Sequence, residues 1–267
     1  MSESGAIIIP ARYGSTRFPG KPLKDLEGRT LLQRTVDAAR AADPERIIVA
    51  TDHAEILAHA REHCGVEAVM TPESCATGTD RVYEAWKMME SRPDIVLNLQ
   101  GDNPFVPPHV LRAVLDRLQG DRSVLVATPA QRLTHDEYKS FSAMKSEGPS
   151  PFSGTTVTVD RDGRAFWFSK NIIPAVRGAS GDTAPDAAPS PVRRHIGLYG
   201  YRAAALEQFF SLPRGFYEEC EKLEQLRFLE NGIPVHVVDV ERVGGVYSGI
   251  DTPEDLERAR QWLREQA

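Results

Sequence analysis

"IIIPARYGSTRFPGKPL", residues 7–23, sets a short apolar run directly before a loop rich in glycine and proline. The apolar run predicts a buried strand, and the loop carries the cations Arg12, Arg17 and Lys21. In an open α/β fold such a loop lies at the carboxyl edge of a parallel sheet, where ligands bind. Because guanidinium and ammonium groups suit phosphate oxygens, the stretch predicts a polyphosphate-binding loop; the alternative is a solvated basic loop. It matches neither GxxxxGK[ST] nor GxGxxG, so no Walker or dinucleotide motif is indicated.

The chain beyond this loop alternates β-branched runs with amphipathic helical stretches. This alternation is typical of parallel βαβ units and predicts an α/β fold with a doubly wound, mostly parallel, Rossmann-like sheet. The predicted strands of the first half are residues 6–11, 46–52, 67–71, 94–100 and 124–130.

The pattern changes in the second half, where two β-rich runs flank Asp-Arg-Asp-Gly within residues 154–169. These runs predict a hairpin, and so a small antiparallel β insertion over about residues 150–200 of a single domain that spans residues 1–267. Residues 178–191 are rich in Gly, Ala, Ser and Pro and are predicted to form a mobile surface loop. The remaining predicted elements are strands at 194–202 and 234–241 and a helix at 218–232.

Composition excludes several classes of protein. The 267 residues carry a formal net charge of −6, so no broad basic footprint for nucleic acid or for an anionic membrane is present. No apolar run is long enough to span a membrane, and the N-terminus lacks the pattern of a signal peptide. Cys64, Cys75 and Cys220 share no close spacing and are expected to be reduced thiols. We therefore expect a cytoplasmic enzyme or binding protein, with no nucleic-acid or membrane partner.

Two aspartates are candidate ligands for a hard cation such as Mg²⁺. Asp102 follows a predicted strand in "NLQGDNP", residues 98–104, although Asp is also a common turn former. In "SGIDTPEDLERAR", residues 248–260, Thr252 and Asp255 have the spacing of a capping box. Asp251 is then available for a metal, although Asp is itself a good cap.

Other signals point to ordinary structure. His59 and His63 have metal-binding spacing on a predicted helix, but the sequence offers no third ligand beside them. The aromatic run at 166–168 resembles a base-stacking cluster, yet aromatics in a hairpin are more often core or interface. No GxSxG elbow is present and no cysteine has an evident base partner, so nothing supports covalent catalysis.

Several motifs resemble, in the same order, those of the 3-deoxy-manno-octulosonate cytidylyltransferase family, also called CMP-Kdo synthetases. They are "IIIPARYGSTRFPGKPL", "IIVATD", "ATGTDR", "NLQGD", "RHIGLYGYR", "LEQLR" and "GIDTPEDLERAR". The resemblance implies the nucleotidyltransferase fold and a reaction in which the anomeric hydroxyl of a 2-keto-3-deoxy sugar acid attacks the α-phosphate of CTP. It also implies Mg²⁺, a homodimer with the inserted hairpin near its interface, and a role in lipopolysaccharide biosynthesis.

The resemblance also assigns residues to roles. Arg12, Lys21 and Asp102 are the implied catalytic residues, and Asp102 and Asp251 the implied ligands of Mg²⁺. The implied nucleotide-binding residues are Arg12, Gly14, Ser15, Lys21, Gly78 and Arg81. The implied acceptor-binding residues are Gln100, Asn103, Lys170, His195, Tyr199, Glu224 and Gln225.

The sequence departs from the family pattern near the implied acceptor. Asn103 stands where the family usually has Glu, and Lys170 replaces an Arg. "TTVTVD", residues 155–160, replaces the usual AVKVV, and "VGGVYSGID", residues 243–251, is lengthened. These departures leave the acceptor open between Kdo and another 2-keto-3-deoxy acid. A transferase for a different ulosonic or phosphonic acid, or a nucleotide-binding regulator without turnover, are the alternative hypotheses.

Overall fold

The computed structural model describes residues 4–14, 18–147, 152–176, 188–241 and 249–266. Contacts within the chain divide it into two compact units. The first unit comprises Met1–Gly120, Leu198–Ala203 and Val243–Ala267, and the second comprises Asp121–Gly197 and Ala204–Arg242. No helix in the described ranges is both long and apolar enough to cross a membrane.

The first unit is a five-stranded sheet with helices between its strands. Its strands are β1 (Gly5–Ala11), β2 (Arg46–Thr51), β3 (Glu67–Met70), β4 (Ile95–Asn98) and β9 (Tyr199–Arg202). Its helices are α1 (Leu31–Ala41), α2 (Ala54–Glu62), α3 (Gly78–Lys87), α4 (Pro108–Gly120) and α9 (Pro253–Gln266), and a 3₁₀ turn spans Lys21–Leu23.

The opening apolar run forms β1, which lies inside this sheet. The strand order is β3-β2-β1-β4-β9; the first four strands are parallel and β9 is antiparallel to β4. Ile7, Ile8 and Ile9 are fully buried, as expected for a parallel strand covered on both faces by helices. The polar residues after β1, β2 and β4 therefore leave the sheet at one edge.

The second unit is mostly antiparallel. It contains β5 (Val126–Thr134), α5 (His135–Glu147), β6 (Thr155–Val159), β7 (Ala165–Ser169), β8 (Pro189–His195), most of α6 (Ala203–Ser211), α7 (Phe216–Glu221), α8 (Leu226–Glu230) and β10 (Val235–Val240). β8 lies between β5 and β6, β6 pairs with β7, and β10 runs parallel to β5. The predicted hairpin is β6–β7, with Gly163 in its turn at φ +80°.

The predicted α/β class with a mostly parallel core and an antiparallel β portion is confirmed, and two local predictions are wrong. The strand predicted at 194–202 is two strands, β8 and β9, which belong to different units. The helix predicted at 218–232 is two short helices, because Lys222 adopts a left-handed backbone with φ +53°. The mobile loop predicted at 178–191 lies mainly outside the described residues, but Pro189 already begins β8, since pairing with β5 outweighs the loop-like composition. The single-domain organisation stays a prediction.

Candidate active site

A cleft of about 240 Å³ lies at the carboxyl edge of the first unit's sheet, where β1 and β4 end. Its walls are residues 10–12, 75–78 and 100–102 with Lys21, Pro22, Arg81 and Asp251. Polar and charged groups dominate this lining, so the cleft suits a charged ligand. Six residues predicted to bind nucleotide or metal therefore share one cavity: Arg12, Lys21, Gly78, Arg81, Asp102 and Asp251.

The ammonium of Lys21 lies between two carboxylates at the floor of this cleft. Its Nζ donates to Asp102 Oδ2 at 2.8 Å and to Asp251 Oδ1 at 3.1 Å. The Lys21 side chain is 13% exposed, and Asp102 and Asp251 are 26% and 48% exposed. Two carboxylates separated by many positions in sequence thus converge on one cation, and the group remains open to solvent on one side.

The backbone of the opening loop places Lys21. Gly20 adopts a left-handed conformation with φ +64°, and its N–H donates to Tyr13 O at 3.1 Å. This turn leads into the 3₁₀ turn that begins with Lys21 and buries Pro22. A side chain at position 20 would be strained by the positive φ, so the glycine is needed for the turn that aims Lys21 into the cleft.

The start of α9 places Asp251. Thr252 caps this helix, because its Oγ1 accepts from Asp255 N at 3.1 Å while Asp255 Oδ2 accepts from Thr252 N. The predicted capping box is therefore confirmed, and the cap is not Asp251. The preceding residue, Ile250, is fully buried and donates its N–H to Asp102 O at 3.0 Å. This hydrogen bond joins the segments that carry the two carboxylates.

The N-terminus of α3 forms a second wall. Thr77 caps the helix in a capping box with Asp80, and Gly78 is its first residue. A Cβ on Gly78 would lie 2.7 Å from Gln100 Oε1, so the Gln100 side chain packs directly against the helix backbone. Because helix N-termini carry partial positive charge, this wall favours an anionic or hydrogen-bond-accepting group.

For three of the predicted nucleotide-binding residues, the structure does not show a group that is free to contact a nucleotide in the cleft. Ser15, like the cation Arg17, lies outside the described residues. Gly14 is exposed and is not part of the cleft lining. Arg81 lines the cleft, but its guanidinium donates to Asp52 Oδ2 at 2.7 Å and to Thr71 Oγ1 at 2.6 Å. Direct contact of Arg81 with a nucleotide stays a prediction.

The acceptor residues predicted in the first unit are partly in the cleft. Gln100 lines it and donates from Nε2 to Asn98 Oδ1 at 3.1 Å. Tyr199 lies on β9, paired with Asn98 across the antiparallel ladder. Asn103 is not part of the lining, and its N–H donates to Gln100 O at 3.0 Å.

The other predicted acceptor residues lie in the second unit. His195 Nε2 is 2.8 Å from Thr128 Oγ1, and burial together with the nearby Lys170 ammonium lowers the pKa of His195 to about 3. Burial also lowers the pKa of Lys170, against the effect of Glu221. Gln225 is 4% exposed, and its Nε2 makes no hydrogen bond within the described residues. A buried amide donor without a partner is a feature that a ligand oxygen would satisfy. Glu224, which precedes Gln225, is half-buried.

Two cysteines of the described residues, Cys64 and Cys75, are poorly suited to act as nucleophiles. Cys75 lines the cleft, and burial raises the pKa of its thiol, which keeps it protonated. Burial raises the pKa of Cys64 to about 11. His59 and His63 have ring centres 4.9 Å apart, and His59 Nε2 is 2.8 Å from Thr30 Oγ1. Within the described ranges, no group of three or more His, Cys, Asp or Glu side chains could hold a metal.

Sequence analysis missed two residues of the site. Asp52 binds the Arg81 guanidinium, and Thr77 caps the helix that forms the second wall of the cleft. Asp52 follows β2 in "IIVATD". Its position at the end of a parallel strand is the signal that identifies it, and the same signal predicts Asp102. Thr77 had the spacing of a helix cap before Asp80, which is the corresponding signal for a helix that begins in the cleft.

Comparison with known proteins gives consistent similarities. The sequence model of a family described as "Cytidylyltransferase" matches residues 6–241. A 3-deoxy-manno-octulosonate cytidylyltransferase of Maricaulis maris is 44% identical over 94% of this chain and 93% of its own. One from Elusimicrobium minutum is 39% identical over 97% of both chains. A solved CMP:2-keto-3-deoxy-manno-octonic acid synthetase complexed with CTP is 32% identical, covers 99% of this chain and 100% of its own, and has a TM-score of 0.82.

Proposed function

Because this chain belongs to the cytidylyltransferase family, and is therefore a nucleotidyltransferase, we propose that it transfers the CMP group of CTP to a 2-keto-3-deoxy sugar acid. The names of its relatives specify 3-deoxy-manno-octulosonate (Kdo), which we take as the acceptor. The observation that carries the proposal is the cleft in which Arg12 and Lys21 lie beside Asp102 and Asp251. Such a set of groups is suited to a triphosphate and a divalent cation.

In the proposed reaction the anomeric hydroxyl oxygen of the acceptor forms a bond to the α-phosphorus of CTP. The bond from that phosphorus to the oxygen bridging the β-phosphate breaks, and pyrophosphate leaves with the electron pair. The hydroxyl proton is released. The chain's contribution is to hold the triphosphate and to oppose the negative charge that moves onto the leaving pyrophosphate, which are the main catalytic effects in phosphoryl and nucleotidyl transfer.

Lys21 and Arg12 are the groups that meet the triphosphate. Lys21 is mostly buried at the cleft floor, so its charge acts in a region of reduced solvent screening. Arg12 follows β1 directly, and its exposed side chain borders the cleft. The ammonium of Lys21 and the planar guanidinium of Arg12 can together neutralise several phosphate oxygens.

The carboxylates of Asp102 and Asp251 fit Mg²⁺. Both approach one cation, the Lys21 ammonium, which shows that their oxygens can converge on a single positive centre. Carboxylate oxygens with remaining positions filled by phosphate oxygens and water are the usual environment of Mg²⁺ in such enzymes. When bound, Mg²⁺ would supply Lewis-acid stabilisation of phosphate charge.

For the acceptor we retain the residues that the resemblance assigns. Support within the second unit comes from the half-buried Lys170 ammonium and the unpartnered Nε2 of Gln225, which suit a carboxylate and a hydroxyl respectively. Support within the first unit comes from Gln100 in the cleft lining. Asn103 and Lys170, which depart from the family pattern, are the residues that we expect to determine which acid is preferred.

We also propose a homodimer, and the cytoplasm as the place where a CTP-consuming reaction runs. The support for the dimer is a set of exposed aromatic side chains, Phe166 on β7 and Phe216 and Tyr217 on α7. Phe166 and Phe216 are 65% and 73% exposed, and the Trp167 and Tyr217 rings meet edge to face at 5.0 Å. Exposed aromatic groups of this kind mark association surfaces.

Light scattering tests the dimer. It should give the mass of a dimer for wild type and of a monomer for F166S/F216S, and a monomeric wild type would contradict the proposed dimer.

The experiment that tests the function measures pyrophosphate release with CTP or UTP and a panel of 2-keto-3-deoxy acids. We expect release with CTP and Kdo, and none without an acceptor. The N103E/K170R double variant tests the acceptor: a change in kcat/KM between Kdo and tail-modified acids would show that these positions select the acid. Binding of CTP without turnover on any acid would favour the regulator hypothesis.

A further inference from the structure

A buried ion pair connects the opening loop to the wall of the cleft. The guanidinium of Arg81, on α3, donates to Asp52 Oδ2 at 2.7 Å, and the side chains are 3% and 13% exposed. Arg81 is also held by Thr71, whose Oγ1 donates in turn to Thr51 O at 3.1 Å. Charged groups that are this deeply buried need such partners, because an unpaired buried charge is costly.

The second oxygen of Asp52 reaches the opening loop. Asp52 Oδ1 accepts from the backbone N–H of Tyr13 at 3.1 Å. Tyr13 is fixed on two further sides: its carbonyl accepts from Gly20 N at 3.1 Å, and its ring stacks on His53 with ring centres 3.9 Å apart. Tyr13 directly follows Arg12, and its carbonyl contacts the residue before Lys21, so the Asp52 carboxylate holds the one residue that lies next to both cations in these contacts.

We propose that Asp52 is a positioning residue for triphosphate binding: held by Arg81, it fixes the Tyr13 amide and so directs Arg12 into the cleft. This inference rests on the proposed function, because it takes the triphosphate as the ligand of Arg12. It gives Arg81 a task other than contact with the nucleotide. Asp52 is not itself part of the cleft lining and contacts it through Arg81, so we assign its effect on the reaction to its hydrogen bond with the opening loop.

The test is a double-mutant cycle between Asp52 and Arg12, read by calorimetric CTP binding and by KM for each substrate. Asp52→Asn keeps the size of the side chain and removes its charge. We expect D52N to weaken CTP binding on the order of tenfold and to leave KM for the acceptor within about twofold. In the R12A background D52N should change CTP binding less than about threefold, because the residue that it directs is gone.

The matched control is E67Q, which removes a charge from an exposed ion pair with Arg46, at the opposite end of β2. It should leave CTP binding unchanged. If D52N does not fold, T71V provides the second variant: it removes the hydroxyl that holds Arg81 and should weaken CTP binding in the same direction.

The outcomes separate this inference from the function on which it rests. If wild type fails to bind CTP, both are overturned. If wild type binds CTP and the D52N and R12A effects add fully, or if D52N raises both KM values equally, the positioning role is overturned while the function stands. If D52N weakens CTP binding much less in the R12A background than in wild type, the positioning role is supported.

Discussion

At the scale of the residue, the molecule's chemistry depends on how one ammonium is placed. Lys21 contacts Asp102 and Asp251, which lie 81 and 230 positions away in sequence. Each partner is held through backbone: Ile250 donates to Asp102 O, and the Asp251 N–H donates to Asp255 Oδ2 at 3.0 Å. A change at any of these side chains therefore acts on charge at the cleft, and a change at Asp255 acts on the helix start.

Replacing Lys21 tests the first of these statements. K21M should lower kcat/KM for CTP by about 10²-fold, because the ammonium opposes triphosphate charge in a mostly buried position. KM for the acceptor should change little. K24M is the matched control, since Lys24 is exposed and lies over the Phe18 ring outside the cleft lining. A defect confined to the acceptor would show that the loop does not hold the nucleotide.

Replacing the aspartates separates charge from capping. D102N and D251N should each lower kcat by about 10²-fold at saturating Mg²⁺, while the thermal midpoint changes little for D251N. D255N should lower the midpoint more and kcat less, because it removes the charge of the carboxylate that accepts from Thr252 N and Asp251 N at the helix start, and leaves the charge of Asp251 in place. Steady-state kinetics and thermal unfolding on the same samples decide this. Near-normal turnover of D251N would leave Asp251 without a catalytic role.

At the scale of the element, the helix that begins at Gly78 has no room for a methyl group at its first residue unless Gln100 moves. Its first residue lies against Gln100, whose amide donates to Asn98. The helix start, the end of β4 and the acceptor candidate Gln100 are thereby packed together without room for a side chain.

G78A should therefore displace Gln100 and lower kcat/KM by about tenfold, with little change in the thermal midpoint, because alanine favours the helix. G120A is the control: a Cβ on Gly120, at the end of α4, would meet nothing within 4 Å. Kinetics of both variants with CTP and acceptor provide the measurement. Unchanged kinetics of G78A would show that the position of Gln100 does not matter to the reaction.

The elements differ in how far sequence predicts them. The parallel strands of the first unit follow from β-branched runs such as Ile7–Ile9, and the candidate cleft follows from polar residues placed after those strands. The break between α7 and α8 at Lys222 could not be predicted, because a positive φ at a lysine depends on its surroundings. Nor could the partner of Arg81, since Asp52 is 29 positions away and an isolated Arg gives no sign of burial.

At the scale of the whole molecule, the His195 imidazole contributes to how stability changes with pH. The pKa of His195 is lowered to about 3, first by burial and then by Lys170, from an ordinary value of 6.5. Above that ordinary value both the folded and the unfolded protein hold the neutral ring. As pH falls from 6.5 towards 3, the unfolded chain takes up a proton that the folded protein does not, so stability falls.

We therefore expect H195Q to remove part of this loss, because glutamine keeps a polar partner for Thr128 and does not titrate. Between about pH 7 and about pH 5, wild type should lose on the order of 1 kcal/mol more unfolding free energy than H195Q. Urea unfolding of both proteins at the two pH values gives the comparison. Equal losses would show that His195 takes up a proton in the folded protein.

The most direct test of the function follows the fate of phosphorus. With CTP, Mg²⁺ and Kdo, phosphorus NMR should show one CMP-sugar phosphodiester formed for each pyrophosphate, because the acceptor attacks at the α-phosphorus. D102N, under the same conditions, should leave CTP unchanged over the same time. Formation of CDP with inorganic phosphate, or of CMP without a sugar conjugate, would contradict transfer of CMP to the acid sugar.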